Sequence, residues 1–232
     1  MKNETQETAQ HTTEKPRVIL LDVYETLLDM TDVEKRVNNL LDNKRGYRMW
    51  FELFMQYCFV DNCTVQFNSF ASIAKATLQM AAKTFGEKVN DEAIGGLLEL
   101  LNHLPVKEHV QEGLSLLHDN GYRIAALTNS PQQIVTNRME RTGLVSYFEV
   151  VLSAEHVQKY KPSIEVYEWA AAKLGVALNE ILLVSAHGWD IAGGANAGMQ
   201  TAYLQQPDEM LYPLAPPPNI IASDLEDLAG KL

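Results

Sequence analysis

The sequence predicts an α/β protein, and two observations support that prediction. From residue 105 onward, short apolar runs alternate with segments whose apolar residues follow helical spacing. Three of these helical segments stop next to a glycine, at Gly121, Gly143 and Gly175, and glycine is a frequent C-terminal signal of helices. Alternating strands and helices favour right-handed crossovers between parallel strands. We therefore expect a Rossmann-like, mostly parallel sheet flanked by helices.

Five apolar runs are the predicted strands of this sheet. They cover residues 18–21, 122–127, 148–152, 181–184 and 201–204. Helices are expected between them, at residues 107–120, 131–142 and 163–174 and again after Asp190. The chain closes with a stiff triple-proline connection, then Ile220, Ile221 and a short helix from Ser223.

A long helical insertion separates the first strand from the second. Residues 31–104 show helical spacing without strand alternation, which is typical of about four helices, and Pro105 marks the exit from them. The predicted organisation is a flexible N-terminal tail at residues 1–16, a core domain formed by 17–30 and 105–232, and a helical cap domain at 31–104.

Charge and composition narrow the possible partners. The formal net charge of −11 repels phosphate backbones and anionic lipids, so we expect neither nucleic acid nor a membrane as a partner. The polar N-terminus lacks a signal-peptide core, and no apolar stretch is long enough to span a bilayer. These features predict a cytoplasmic protein whose two cysteines, Cys58 and Cys63, are reduced.

Polar side chains gather at the predicted carboxyl ends of the strands. The set comprises Asp22, Thr128 with Asn129, Lys161 in the loop after the third strand, and Ser185 with His187 and Asp190. Strand ends of a parallel sheet meet at one edge, where ligands bind. A single Thr or Ser there is explained by loop or helix capping, but the whole ordered set is not.

In that order, Asp22, Thr128, Lys161 and Asp190 resemble the four motifs of the haloacid dehalogenase superfamily, whose cap domain matches the helical insertion. Most members of that superfamily are magnesium-dependent phosphatases or phosphotransferases. The resemblance places Tyr24 and Ala186 where a phosphatase has its second acid and a metal-binding Asp. Loss of both carboxylates argues against a magnesium site.

The closer resemblance is to the type II (S)-2-haloacid dehalogenase branch, which uses no metal and no other cofactor. Its first motif, Asp-x-Tyr-x-Thr, matches Asp22 to Thr26, and its later motifs match Tyr167 and Trp189. The resemblance implies substrate-binding roles for Tyr24, Tyr167 and Trp189. The implied reaction is attack of the Asp22 carboxylate on the halogen-bearing carbon of a small carboxylate substrate. Water then hydrolyses the resulting ester and releases a 2-hydroxy acid.

The resemblance also implies roles for the other residues of the set. Lys161 would keep Asp22 ionised, and Asp190 would orient Lys161 and the water, with a structural role at a helix start as the alternative. Thr26 and Ser185 would position Asp22 and Lys161. Thr128 and Asn129 would bind the substrate carboxylate.

The departing halide is expected to meet a cap arginine and an apolar wall. Arg48 is the candidate by sequence spacing and Arg45 its competitor, while either is alternatively an ordinary solvated helix charge. The expected wall residues are aromatic: Tyr24, Trp50, Phe67 and Trp189. Two further aromatic residues of the insertion, Phe51 and Phe54, are expected in the ordinary core.

His187 is the clearest departure from the dehalogenase pattern, which has Asn at that position. An imidazole can orient or deprotonate water, and its bulk would narrow the pocket toward small substrates such as haloacetates. Two alternatives remain open: a phosphatase with an altered metal site, and a non-catalytic protein that binds small anions. Family precedent and the apolar helix near Trp50 further suggest a homodimer.

Overall fold

The computed structural model describes residues 15–207 and 209–232. The predicted flexible tail, apart from its last two residues, lies outside this range. Within the described ranges, no helix is long and apolar enough to cross a membrane.

Six parallel strands form a single sheet in the order β3-β2-β1-β4-β5-β6. Their bounds are β1 Val18–Leu21, β2 Arg123–Thr128, β3 Val150–Ser153, β4 Ile181–Ser185, β5 Gln200–Leu204 and β6 Ile220–Ala222. Every residue of β1 and β4 is buried, as expected for central strands covered on both faces. The sequence did not predict β6 as a strand, because three residues are too few for a periodic pattern.

Nine α-helices accompany the sheet in the described residues. They are α1 Thr31–Leu40, α2 Gly46–Thr64, α3 Phe70–Phe85, α4 Asp91–Asn102, α5 Val110–Asp119, α6 Gln132–Arg141, α7 Ile164–Leu174, α8 Gly188–Ala197 and α9 Leu225–Lys231. The crossover helices cover the sheet, with α5 packed on α9 and α7 on α8. The predicted α/β fold with an inserted helical layer is confirmed.

The helices α1–α4, here called the cap helices, fall within the predicted insertion. Two of them begin at the capping side chains Ser69 and Asn90, which accept hydrogen bonds from backbone N–H groups in the first turn. The longest, α2, packs against both α1 and α3. Its buried residue Trp50 donates an indole hydrogen bond to the Ala74 carbonyl of α3.

The strand order shows where along the sheet a ligand would bind. β1 pairs with β2 on one side and with β4 on the other, so the order of strands reverses at β1. In open parallel sheets, ligands bind beyond the carboxyl ends of the strands at such a point. Asp22 follows β1 there, and its backbone N–H donates to the Val184 carbonyl of β4 at 2.9 Å.

Close packing of α8 against the loop before α7 depends on one glycine. A Cβ at Gly193 would overlap Pro162 and lie 2.6 Å from the Tyr167 hydroxyl. Only a residue without a side chain lets α8 approach this closely. The position therefore fixes the distance between two helices whose ends carry predicted site residues.

Candidate active site

Asp22 lies buried at the end of β1 and is held by two side chains. Lys161 Nζ donates to its Oδ1 at 2.8 Å, and Thr26 Oγ1 donates to its Oδ2 at 2.9 Å. The Thr26 hydroxyl oxygen also accepts the Ala186 N–H at 3.0 Å. Thr26 therefore fixes the carboxylate against the loop after β4.

Lys161 lies between two carboxylates. Its Nζ is 2.8 Å from Asp22 Oδ1 and 2.7 Å from Asp190 Oδ2, and all three side chains are at most 5% exposed. Burial alone would lower the pKa of Lys161, but Asp190 and Asp22 raise it above its usual value. The ammonium therefore stays charged across the physiological range.

The ionisation of Asp22 depends on its neighbours. Burial would raise its pKa, while the positive charge of Lys161, the imidazole of His187 and the lysine hydrogen bond lower it, with a net shift below the ordinary value. The carboxylate is thus charged and shielded from water, which is the state of a competent nucleophile.

Asp190 is fully buried in the first turn of α8, and both of its oxygens have partners. One accepts from Lys161, and the other accepts from the Tyr167 hydroxyl at 2.6 Å. Burial, followed by the charge of Asp190, raises the pKa of Tyr167 well above its usual value, so the phenol stays a donor. Tyr167 contacts Asp190 and does not line the cavity that Asp22 faces, so the structure does not place it where the expected contact with substrate would occur.

Two asparagines clamp the backbone that carries Lys161. Asn129 Oδ1 accepts the Lys161 N–H at 2.7 Å, and its Nδ2 donates to the Lys161 carbonyl at 3.3 Å. One residue earlier, Asn62 of α2 does the same for Tyr160, at 2.9 and 2.7 Å. The lysine segment is therefore fixed by the core through Asn129 and by the cap helices through Asn62.

Asp22 faces a small cavity between the sheet edge and the cap helices. Its volume is about 30 Å³, room for about two water-sized groups. Its polar lining comes from Asp22, Thr128, Asn129 and Lys161. Most of the remaining lining is aromatic: Tyr24, Trp50, Phe51, Phe54, Phe70, His187 and Trp189. The site is thus a charged pair at the floor of an apolar chamber.

The structure places several predicted residues at this cavity and others beside it. Asp22, Tyr24, Thr128, Asn129, Lys161, His187 and Trp189 all line it. Thr26 and Asp190 contact members of that group. The Ser185 hydroxyl accepts the His187 N–H at 3.1 Å, so its observed partner is His187 instead of the expected Lys161.

The expectation for the cap arginines requires correction. Arg48 has a side chain that is 69% exposed, pairs with Glu52 at 2.9 Å and does not line the cavity; Arg45 is exposed as well. The reason is helix register, since α2 directs Phe51 and Phe54 inward and leaves Arg48 and Glu52 one turn apart on its outer side. The structure therefore brings neither arginine to Asp22.

The same register alters the predicted aromatic wall. Phe51 and Phe54, expected in the ordinary core, line the cavity, whereas Phe67 stacks on Tyr160 at a centroid distance of 5.1 Å and does not line it. Aromatic residues occur on several sides of α2, so spacing alone could not show which ones face Asp22.

Sequence reasoning also missed a buried cation. The guanidinium of Arg138, on α6, lies 4.9 Å from the centroid of the Tyr24 ring and donates to the Leu101 carbonyl. The side chain is 2% exposed, and its Nε and Nη1 have no partner among the described residues. Nothing in the sequence distinguished Arg138 from a surface charge on an amphipathic helix.

The residues present do not fit a magnesium site. Tyr24 and Ala186 supply no carboxylate, and the two remaining carboxylates, Asp22 and Asp190, both bind the Lys161 ammonium that lies between them. A cation there would have to displace a buried positive charge. The described residues contain no cluster of three or more His, Cys, Asp or Glu side chains suited to a metal ion.

Comparisons with known proteins show similarity to dehalogenases over most of the chain. The curated (S)-2-haloacid dehalogenase 2 of Pseudomonas sp. (strain CBS-3) is 26% identical over 220 residues, covering 93% of this chain and 95% of its own. A crystal structure of an L-2-haloacid dehalogenase superposes with a TM-score of 0.87 at 23% identity, covering 94% and 99% of the two chains.

A second solved structure has the same fold. The L-2-haloacid dehalogenase from Xanthobacter autotrophicus, with chloropropionic acid covalently bound, gives a TM-score of 0.83 at 19% identity and covers 93% of this chain and 97% of its own. The family model described as haloacid dehalogenase-like hydrolase matches residues 19–204, which run from β1 through β5 and include the carboxyl ends of these five strands. The chain belongs to the haloacid dehalogenase-like hydrolase family.

Proposed function

We propose that this protein hydrolyses the carbon–halogen bond of small 2-haloacids and releases 2-hydroxy acids. The observation that carries the proposal is a buried Asp22 carboxylate, kept ionised by Lys161, at the floor of an aromatic cavity with Tyr24 where a second acid would stand. Full-length relatives named (S)-2-haloacid dehalogenase support the same reaction.

In the first half-reaction, an oxygen of Asp22 attacks the halogen-bearing carbon and expels halide, leaving an ester on Asp22. A carboxylate in water is a weak nucleophile because hydration stabilises its charge. In the cavity, Asp22 has lost that hydration and keeps its charge through Lys161. In the second half-reaction, water attacks the ester carbonyl and restores Asp22.

The substrate carboxylate would bind at Thr128 and at backbone N–H groups of the loop after β2. Thr128 is the more available of the two predicted anchors, because both amide atoms of Asn129 already bind the Lys161 backbone. The small cavity suits acids with few carbon atoms, and chloroacetate is the simplest of them.

Aromatic side chains would form the halide end of the cavity. Ring edges carry partial positive charge and tolerate a weakly hydrated anion better than ring faces do. Behind this wall, the Arg138 guanidinium over the Tyr24 ring adds a buried positive charge that a cap arginine does not supply here. Its neighbour Leu101 also lines the cavity.

The test compares halide and phosphate release. Chloroacetate, 2-chloropropionate, fluoroacetate and an aryl phosphate would be offered with Mg²⁺ and with a chelator. We expect chelator-resistant halide release that is lost in Asp22→Asn and kept in the surface control Asp119→Asn. Magnesium-dependent phosphate release without halide release would refute the proposal.

A further inference from the structure

His187 lies between two carboxylates at the wall of the cavity. Its Nε2 is 3.7 Å from Asp22 Oδ2, and its Nδ1 is 3.6 Å from Glu25 Oε2. The ring is buried and stacks with Trp189, at a centroid distance of 5.1 Å, and with Phe51, at 5.7 Å. These two near-parallel ring contacts restrict the orientation of the imidazole.

Glu25 is held in an unusual backbone conformation that turns its side chain toward His187. Its φ of 58° lies in the left-handed region, which is unfavourable for a residue with a side chain. Two contacts offset that cost: Lys107 Nζ donates to the Glu25 carbonyl at 2.8 Å, and the Tyr47 hydroxyl donates to Glu25 Oε1 at 2.5 Å. Strain of this kind concentrates at functional sites.

The Glu25 carboxylate also faces an outer groove. Its side chain is 28% exposed and lines this groove together with Tyr47, His187, Trp189 and Glu209. His187 and Trp189 line both the outer groove and the cavity that Asp22 faces. A proton on His187 therefore has a path to the surface that does not cross the substrate.

We propose that His187, oriented by Glu25, is the general base for hydrolysis of the ester on Asp22. It would accept a proton from the water that attacks the ester. This inference rests on the proposed function, since it assigns the second half of that reaction. The arrangement follows the logic of a hydrolytic triad, in which a carboxylate orients the imidazole and stabilises its protonated form. Here water takes the place of the serine hydroxyl as the nucleophile that the imidazole deprotonates, and the ester on Asp22 is the group attacked.

The step balances in atoms and charge. The water oxygen bonds to Cγ of Asp22 while His187 Nε2 accepts one of its protons, and a tetrahedral intermediate forms. The bond from Cγ to the substrate oxygen then breaks, and His187 returns its proton to the departing alkoxide, which leaves as the 2-hydroxy acid. Asp22 is restored as a carboxyl group, and its proton leaves through His187 and Glu25 to the outer groove.

Asp190 is a poorer candidate for this base. Its oxygens are occupied by Lys161 and by the Tyr167 hydroxyl, and its side chain is fully buried. His187 instead changes its surroundings during the cycle. In the free protein it can donate from Nε2 to the Tyr24 carbonyl at 3.2 Å and lies between the side chains of Asp22 and Glu25. Ester formation removes the negative charge of Asp22 from the position that Nε2 faces, and water that approaches the ester carbonyl there comes within reach of this nitrogen.

The test separates the two half-reactions in single-turnover experiments with chloroacetate. Halide release reports ester formation, and intact mass of the quenched protein reports the ester on Asp22. In His187→Gln we expect a stoichiometric halide burst, accumulation of the ester, and hydrolysis slowed by about 10²- to 10⁴-fold. Glu25→Gln should slow hydrolysis in the same direction and alter its pH dependence, while keeping a hydrogen-bonding side chain.

A matched control removes one acid of the same groove. Glu209→Gln takes away an exposed carboxylate that makes no contact with His187, so it should leave both half-reactions unchanged. Wild-type hydrolysis rates in both His187→Gln and Glu25→Gln, without trapped ester, would overturn the inference and leave the proposed function standing. Equal slowing of halide release and hydrolysis would also overturn it, since His187 would then only shape the cavity. Absence of halide release from the wild type would instead refute the proposed function.

Discussion

Replacing Lys161 with Met removes the positive charge between two buried carboxylates and keeps most of the side-chain volume. At 2.8 Å and an effective dielectric constant of about 20, the attraction between Lys161 and Asp22 is about 6 kcal/mol. Since each 1.4 kcal/mol is a factor of ten, the ratio of ionised to protonated Asp22 should fall by up to about 10⁴-fold at a given pH. Burial, which the lysine opposes in the wild type, would then favour the neutral acid.

The assay is the single-turnover rate of halide release as a function of pH. In the wild type, the pKa of Asp22 lies below 3.8, so the rate should not change from pH 6 to pH 9 on account of this group. In Lys161→Met the acidic limb should move to higher pH, with little release at pH 6 and partial recovery toward pH 9. Lys159→Met is the matched control, because Lys159 donates to the Asn62 carbonyl and not to Asp22.

An equal loss of activity at every pH would refute this reasoning, because Lys161 would then act by something other than ionising Asp22.

The pH dependence of the free energy of unfolding gives a second readout. The lowered pKa of Asp22 contributes stability above pH 3.8 that is lost as the pH falls through the folded value, and the raised pKa of Lys161 contributes stability that is lost above pH 10.5. Removing one partner of such a buried ion pair lowers the free energy of unfolding by about 3–5 kcal/mol. Lys161→Met should therefore unfold at a lower denaturant concentration than the wild type near neutral pH.

Two further substitutions test the hydrogen bond and the close packing that position Asp190 beside Lys161. Tyr167→Phe removes a buried 2.6 Å hydrogen bond to Asp190 and should lower the free energy of unfolding by about 1.5–3 kcal/mol in denaturant titrations, unlike an exposed tyrosine change. Gly193→Ala would press a methyl group into Pro162 and Tyr167, costing about 1–3 kcal/mol and reducing halide release. Gly95→Ala, in open space within α4, should instead raise the thermal midpoint slightly. The opposite order of the two alanine variants would contradict the packing argument.

The strand ends were predictable because each is a short apolar run that stops at a polar residue, and parallel pairing brings those stops together. Asp22 and Thr128 follow from that rule, whereas Lys161 lies in the loop after β3 and was assigned through the family resemblance. The sequence could not predict which face of α2 in the cap points toward Asp22. Aromatic residues surround α2, so nothing in the sequence showed that Phe51 faces Asp22 while Arg48 faces solvent.

Contacts between residues far apart in the sequence could not be predicted, for a different reason. The approach of Glu25 to His187 joins positions 162 residues apart and depends on a positive φ that no pattern around Glu25 indicates. Arg138 lies in the C-terminal half of α6 and packs over the Tyr24 ring. The amphipathic spacing of α6 does not indicate that this arginine is buried.

The paired asparagine clamps couple the cap helices to the ion pair at Asp22. Tyr160 and Lys161 are consecutive, yet Asn62 of the cap helices holds the first and Asn129 of the core holds the second. A shift of α2 relative to the sheet would therefore either carry the Tyr160 backbone with it or break the two hydrogen bonds to Tyr160. In both cases the change reaches the peptide unit that precedes Lys161, whose ammonium contacts Asp22. The position of the cap helices is thus linked to the charge beside Asp22 through one peptide bond.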